Sequence, residues 1–262
     1  MADNIRLIQL NNYIRPKIEE NKSKNWVLNG RNNGFYQYLI DRYNGSPTNS
    51  AIITSYADMI YGKGIKARNA QTKIEDWAKF KTILKDEDLR KIISDFALFN
   101  EFSMQIIKAK NGKDLATIKH LPKERVAPAL ENEDEEIDLY WYCRDWKNTN
   151  KYKPDDFSAF GYSNDTIEIY VGKPYKAGKT YFSDPDYLAG LPYCEMEEEI
   201  SNYYVNHIKN GLSFGYIINI PDGNSMTDDE KDELERKIKD KLAGSSNAGK
   251  FVISFNGRDA EI

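Results

Sequence analysis

The segment Gly244–Lys250 comes nearest to a chemical motif, because it reads Gly-Ser-Ser-Asn-Ala-Gly-Lys. It fits the G-x-x-x-x-G-K pattern of loops that bind nucleotide phosphates, but such loops continue with Ser or Thr, and here Phe251 follows. A phosphate loop also leads from a strand into a helix N-terminus, whereas this segment lies between a predicted helix and a later predicted strand. We therefore expect a helix that ends at glycine and a tight loop, with no nucleotide site.

A shorter candidate is Gly62-Lys63-Gly64, in which two glycines flank a lysine and could form an anion-binding loop. A glycine at the end of a helix explains the same residues more simply. We expect a turn followed by a short strand within residues 62–67.

Other residue types that do chemistry are sparse. Cys143 and Cys194 are the two cysteines, which excludes a disulfide framework and a cysteine-based zinc site. His120 and His207 are far apart in sequence, and no G-x-S-x-G, H-E-x-x-H or Cys–His arrangement accompanies them. We expect no enzyme, no metal site and no cofactor. A hydrolase with an unrecognised carboxylate site stays an alternative, because carboxylates are plentiful.

Composition is typical of a folded assembly component. The 262 residues carry 37 basic and 41 acidic side chains, and the net charge of −4 disfavours an extended basic face that grips nucleic acid. Aromatic residues reach 13%, too many for a disordered chain, whereas the apolar fraction of 40% is below the usual value of roughly 45–50%. No run approaches the ~20 apolar residues of a membrane span, and the few cysteines favour a reducing cytoplasm.

The elements that would position any site begin with a mixed α/β region. Residues 1–30 are interpreted as an arm with one short element. Ser46 is a good N-cap for a helix that ends at Gly62. Helices are predicted over 71–84 and 86–100, the second with a wide apolar stripe. Strands on either side of Asn111-Gly112 predict a hairpin, and further strands are predicted over 137–143 and 166–171.

Two aromatic residues of the 137–143 strand, Tyr140 and Trp141, could stack on nucleic-acid bases. Packing in a half-buried strand explains them better. A single-stranded nucleic-acid binder therefore stays a weaker alternative.

A helix is predicted over 195–210, after a turn-rich segment that ends the α/β region. Glutamates fill its predicted first turn, where negative charge is favourable, and Gly211 ends it. Its apolar positions fall on one face, which must pack against a partner. We predict that this packing seam consists of Met196, Ile200, Tyr203, Tyr204, His207 and Ile208.

The last part of the chain is predicted to alternate strand, helix and strand. A strand covers 214–220, and a capping box of Thr227 with Glu230 begins the helix. A second strand covers 250–255, and Asn256-Gly257 resembles a hairpin turn.

Together these elements resemble the portal proteins of tailed bacteriophages. The residues that carry the resemblance are Ser46-Pro47-Thr48-Asn49-Ser50, Ile60-Tyr61-Gly62-Lys63-Gly64-Ile65, Tyr181-Phe182-Ser183-Asp184-Pro185-Asp186-Tyr187, Glu199-Ile200-Ser201, Asn210-Gly211 and Gly244-Ser245-Ser246-Asn247-Ala248-Gly249-Lys250. Their order and spacing extend over some 200 residues.

The resemblance implies an α+β fold with a mixed α/β wing domain, a long stem helix and a small α/β clip unit. The implied boundaries are 1–30 for the arm, 31–193 for the wing, 194–211 for the stem helix and 212–262 for a truncated clip. Predicted clip contacts are Asp222, Gly223, Asn247 and Lys250.

The implied function is a structural ring, usually of twelve subunits, at one capsid vertex. Double-stranded DNA would pass through its channel during packaging and ejection. The implied partners are further copies of the chain, the terminase large subunit, a head–tail adaptor and the capsid protein, without a membrane. The location would be the virion, and the host cytoplasm during assembly. Another phage capsid or assembly protein is the main alternative.

Overall fold

The computed structural model describes residues 17–68, 71, 73–110, 114–209, 216–221, 227–242 and 251–256. These residues combine helices with sheets, which confirms the predicted α+β class. The chain divides into two compact units, Met1–Glu195 and Met196–Ile262.

The first unit contains four helices and the beginning of a fifth among its described residues. The α-helices of the described residues are α1 (Gly34–Gly45), α2 (Pro47–Tyr61), α3 (Ile74–Ile83), α4 (Asp86–Phe99), α5 (Leu191–Lys209) and α6 (Asp228–Leu242). The division between the units falls within α5.

The strands described in the first unit form a hairpin and two three-stranded sheets. They are β1 (Glu19–Asn21), β2 (Trp26–Leu28), β3 (Phe102–Lys108), β4 (Leu115–Leu121), β5 (Val126–Pro128), β6 (Leu139–Tyr142), β7 (Asp155–Ser158) and β8 (Ile167–Gly172). The sheet orders are β4-β3-β8 and β5-β6-β7. A bridge between Ala159 and Ile169 joins the end of β7 to β8, so the two sheets adjoin.

The predicted hairpin around Asn111-Gly112 is confirmed in its strands. β3 and β4 pair antiparallel, with Ile106 opposite Ile118. Both turn residues lie outside the described part of the chain.

Helix α2 begins and ends as its sequence predicts. The Ser46 side chain accepts a hydrogen bond from the Asn49 amide, and Pro47 occupies the first helical position. The helix ends at Gly62, whose φ of +52° favours glycine. The short strand predicted after it is wrong, because residues 64–67 have no regular structure. Gly64 takes a φ of +69° there, which lies outside the extended region that a strand requires.

Two apolar clusters form the core of the first unit, and β2 contributes to both. Val27 packs in a cluster with Phe35, Tyr36, Leu39, Phe99, Phe182 and Leu191. Its neighbours Trp26 and Leu28 pack in the other cluster, with Ala127, Cys143 and Trp146. This division follows from the alternation of side chains along a strand. The described part of the predicted arm, residues 17–30, therefore contains two strands rather than one short element, and its second strand is buried.

Trp141 is half-buried and packs against the core, as predicted for a half-buried strand. Its indole N–H donates a hydrogen bond of 2.7 Å to the Asn25 carbonyl oxygen, and its ring meets Trp26 edge to face at 5.7 Å. These contacts hold the ring in place and leave base stacking by Trp141 without support.

The described strands of the second unit, β9 (Tyr216–Pro221) and β10 (Phe251–Asn256), pair in parallel with α6 between them in sequence. A parallel pair needs such a crossover. The predicted capping box at the start of α6 is confirmed in one of its two bonds, since the Thr227 amide donates a hydrogen bond of 2.9 Å to the Glu230 carboxylate, while the Thr227 hydroxyl donates to the same oxygen at 3.0 Å. Gly257 of the predicted final turn lies outside the described residues.

Candidate interaction surface on helix α5

Helix α5 begins earlier than the sequence predicts. It starts at Leu191 instead of residue 195, and its first turn contains no acidic residue. Pro192 is compatible with a first helical turn because the amides there have no partner within the helix, and Leu191 is fully buried in the core. The glutamates predicted for the first turn therefore lie one turn further along.

The start of α5 is fixed to α1 by polar contacts. The Tyr38 hydroxyl donates a hydrogen bond of 2.8 Å to Glu195 Oε1. Arg42 Nη1 lies 3.8 Å from the same oxygen. Glu195, predicted as a favourable charge in the helix dipole, thus acts as an acceptor that joins two helices.

The loop that leads into α5 is held by α4. The Tyr187 hydroxyl donates a hydrogen bond of 2.6 Å to the Leu98 carbonyl oxygen. Asn100, which ends α4 with a φ of +58°, donates from Nδ2 to the Asp184 carbonyl oxygen at 2.9 Å. These contacts fix the direction from which the chain enters the helix.

A buried ion pair supports the same loop. Lys123 Nζ lies 2.9 Å from Glu101 Oε2, and both side chains are almost completely shielded from solvent. Glu101 also accepts a hydrogen bond from the Ser183 amide. The Tyr36 hydroxyl bridges the pair, accepting from Lys123 at 2.8 Å and donating to Glu101 at 3.0 Å. Burial, reinforced by the Glu101 charge, raises the Tyr36 pKa well above its ordinary value.

Sequence reasoning missed this buried cluster. Lys123 lies in a predicted loop, and Glu101 directly follows a predicted helix. Neither position therefore belongs to a periodic pattern that would predict burial. Because the cluster is closed to solvent, we interpret it as a structural anchor that holds residues 181–187 against the core.

The six residues of the predicted seam lie on one face of α5, in the part of the helix that belongs to the second unit. Ring contacts join Tyr203 to Tyr204 at 5.6 Å and to His207 at 5.3 Å, the latter pair stacked. Tyr203 is 57% exposed and Ile208 67% exposed. Met196, Ile200 and Tyr204 are also exposed. We call this set the α5 face; its packing role stays a prediction.

His120 and Cys143, two other candidates from the sequence, lie in the first unit. His120 Nε2 lies 2.8 Å from Asp95 Oδ2, which also accepts from the Lys123 amide. Cys143 is buried, and burial raises its thiol pKa. Within the described ranges, no three residues among His, Cys, Asp and Glu are grouped to hold a metal ion. No described helix has the length and apolar character of a membrane span.

The predicted clip contacts Asp222, Gly223, Asn247 and Lys250 all lie outside the described residues, as does the loop 244–250. The elements on either side of that loop are described, since α6 ends at Leu242 and β10 begins at Phe251. The chain thus leads from a helix into a strand there, as predicted, in the opposite order to a phosphate-binding loop.

The sequence matches no protein-family profile and no curated protein. Its fold does resemble solved structures. A chain in the structure described as the virion of a native gene transfer agent (GTA) particle matches with a TM-score of 0.53 and 11% identity, over 82% of this chain and 57% of that one. A chain in the neck of the empty GTA particle, computed with C6 symmetry, matches with a TM-score of 0.51 and 11% identity, over 79% of this chain and 56% of that one. This chain thus spans less than three fifths of either neighbour, and the likeness concerns the fold.

Proposed function

We propose that this chain is a portal-type subunit of a virus-like particle. It assembles with further copies of itself into a ring, and double-stranded DNA passes through the central channel during packaging and ejection. The observation that carries the proposal is the likeness of its fold to chains of the GTA virion and of the GTA neck. The order of sequence segments shared with phage portal proteins supports the same function.

The α5 face supports this proposal physically. Large apolar and aromatic side chains stay exposed along three turns of the helix, and removing them from water is favourable by roughly 25 cal/mol per Å². A neighbouring copy in a ring supplies the surface that this face needs. Met196, Ile200, Tyr203, Tyr204, His207 and Ile208 then form the seam between stem helices.

The remaining assignments follow from the portal role. The predicted arm 1–30 and residues 31–193 together form the wing, because β2 of the arm packs in its core; residues 194–211 form the stem helix and 212–262 the clip. In the clip, Asp222, Gly223, Asn247 and Lys250 contact the terminase large subunit during packaging and a head–tail adaptor afterwards. The ring, of twelve subunits, contacts the capsid protein at one vertex of the virion and assembles in the host cytoplasm. The protein is structural and performs no catalysis.

Electron micrographs of the purified protein test the proposal. Closed rings with a central hole support a portal-type subunit. Solid or open assemblies instead favour another capsid or assembly protein, which is the second candidate because the same fold likeness also fits it. A protein that stays monomeric at every concentration contradicts both.

A further inference from the structure

A groove in the first unit combines aromatic and basic side chains. It has a volume of about 670 Å³ and lies between residues 63–67, α3 and the start of α4. Trp77 and Phe80 stack at 5.5 Å along its wall, and Lys81 Nζ lies 5.0 Å from the Trp77 ring centre. Ile65 at its edge is 47% exposed. We call this feature the basic groove.

The basic groove lies in a segment of unusual charge. Residues 63–88, which reach the start of α4, contain seven lysine and arginine residues against five carboxylates, of which Asp86 lines the groove, whereas the whole chain carries a net charge of −4. Lys63, Lys66 and Lys79 are exposed. Among the described residues, Lys73 with Asp76, at 3.9 Å, is the one ion pair that these cations make. Most of the positive charge is thus available to a partner.

The same unit also carries a surface with the opposite charge. The turn between β5 and β6 contains Glu133, Asp134, Glu135 and Glu136, all exposed. These carboxylates form no ion pair with a cation of the described chain. The exposed Tyr162 donates a hydrogen bond to Glu136, and the neighbouring Phe160 is exposed as well. We call residues 133–136 with these two aromatic side chains the acidic patch.

Strand order keeps the two surfaces apart within one molecule. α3 adjoins β4 through the bridge between Leu84 and Ile118, and the acidic turn leads into β6. The neighbour order β4-β3-β8 leaves two strand spacings between β4 and the nearest part of the patch, Phe160, whose amide bonds to Ile169 on β8; this amounts to roughly 10 Å. Among the described residues, no ion pair joins the lysines of the groove to the carboxylates of the patch within one chain.

We infer that the basic groove of one copy receives the acidic patch of a second copy. The charges are complementary, and both surfaces contain exposed aromatic or aliphatic side chains that gain from burial. Because two different surfaces of the chain meet, the contact is head-to-tail, which generates a closed ring or an open filament. This inference rests on the proposed function in one respect, namely that the chain assembles with itself.

Charge reversal with complementation tests this contact. One variant combines Lys63→Glu, Lys66→Glu and Lys81→Glu, and the other combines Glu133→Lys, Asp134→Lys and Glu136→Lys. In each variant alone, the groove and the patch carry charge of the same sign. Its self-association, measured by sedimentation velocity, should therefore weaken, with a Kd at least roughly tenfold higher. In an equimolar mixture, each reversed surface meets a surface of opposite charge on the other variant. The Kd of the mixture should therefore lie within about threefold of the Kd of the unaltered chain.

A matched control reverses three exposed lysines elsewhere, with Lys22→Glu, Lys147→Glu and Lys153→Glu, and should leave self-association within about threefold. Circular dichroism establishes that each variant is folded. The salt dependence of the unaltered chain gives a second readout that needs no variant, since association through charge should weaken as salt rises.

A mixture that associates no better than either variant overturns the inference, as does a control that is equally damaging. Loss of duplex-DNA binding in the first variant, with unchanged self-association, would assign the groove to nucleic acid and also overturn it. The experiment distinguishes failure of this contact from failure of the proposed function. If rings still form in the charge-reversed variants, the contact is wrong and the portal role stands. If the mixture restores association but forms filaments instead of rings, the portal role is wrong and the contact stands.

Discussion

Tyr38 of α1 donates a hydrogen bond of 2.8 Å to the carboxylate of Glu195, four residues after α5 begins. The bond joins residues 157 positions apart and lies immediately before the α5 face. The start of the helix is therefore set by the core of the first unit rather than by local signals alone.

Removing this bond should loosen the start of α5. Tyr38→Phe deletes the donor to a partly buried carboxylate, and we expect a loss of about 1 kcal/mol in the free energy of unfolding. Urea denaturation measures the loss, and amide exchange should accelerate over residues 191–196. Tyr43→Phe, which removes an exposed hydroxyl contact with Thr54, is the control. If both variants lose the same free energy of unfolding, the bond from Tyr38 to Glu195 contributes no more than an exposed hydroxyl contact, and the prediction is wrong.

The buried ion pair gives a stronger effect. Lys123→Met leaves the Glu101 carboxylate buried without its cation, and we expect a loss of about 3–5 kcal/mol. Adding Glu101→Leu should recover part of that loss, because the uncompensated charge is then gone. Chemical denaturation of the single and double variants tests this non-additivity. A double variant whose loss equals the sum of the single losses would contradict the coupling.

The N-cap of α2 should stabilise the helix through the bond from the Asn49 amide to the Ser46 side chain. Ser46→Ala removes the acceptor for the Asn49 amide, and we expect about 1 kcal/mol of destabilisation in thermal or urea unfolding. Ser55→Ala, at an exposed interior position of the same helix, should be neutral or slightly stabilising because alanine has the higher helix propensity. The prediction is wrong if Ser55→Ala is the more damaging of the two.

The capping box of α6 should respond to acid. Hydrogen bonds from the Thr227 amide and hydroxyl lower the Glu230 pKa below its ordinary value of 4.5. A lowered pKa in the folded state means that the contribution to stability is present above the ordinary pKa and is lost as pH falls through the folded one. An NMR titration should therefore find a low Glu230 pKa, which rises in Thr227→Ala. Because the Thr227 amide still donates in that variant, an unchanged value would contradict only the part of the shift assigned to the Thr227 hydroxyl.

Local signals in the sequence predicted local structure well. Ser46, Pro47 and Gly62 fix α2, and Thr227 with Glu230 fixes the start of α6, because each acts on a backbone within a few residues of itself. The strands on either side of Asn111-Gly112 pair as predicted for the same reason. These features needed no knowledge of distant contacts.

Features decided by distant contacts were not predicted. The glutamates at 195–199 indicated a helix start, yet burial of Leu191 and the bond from Tyr38 to Glu195 allow the helix to begin earlier. The pairing of Lys123 with Glu101 depends on how α4 and β3 approach the residues that precede β5. The strand predicted after Gly62 is wrong because a strand needs a neighbouring strand to pair with. The spacing of residues along the chain does not indicate whether such a neighbour is present.

The α5 face itself was predicted from helical spacing, and the structure shows its side chains exposed together. Under the proposed function, a neighbouring copy covers this face. That proposal therefore depends on whether copies of the chain meet through it.

The most direct measurement compares electron micrographs of the unaltered chain with those of a variant that carries Tyr203→Asp and Ile208→Asp. Asn202→Asp with Asn206→Asp, on the polar side of the same helix, adds the same charge away from the α5 face. We predict closed rings for the unaltered chain and for this control, and single subunits for the Tyr203 and Ile208 variant. Rings that persist in that variant, or their absence from the unaltered chain, would contradict the account.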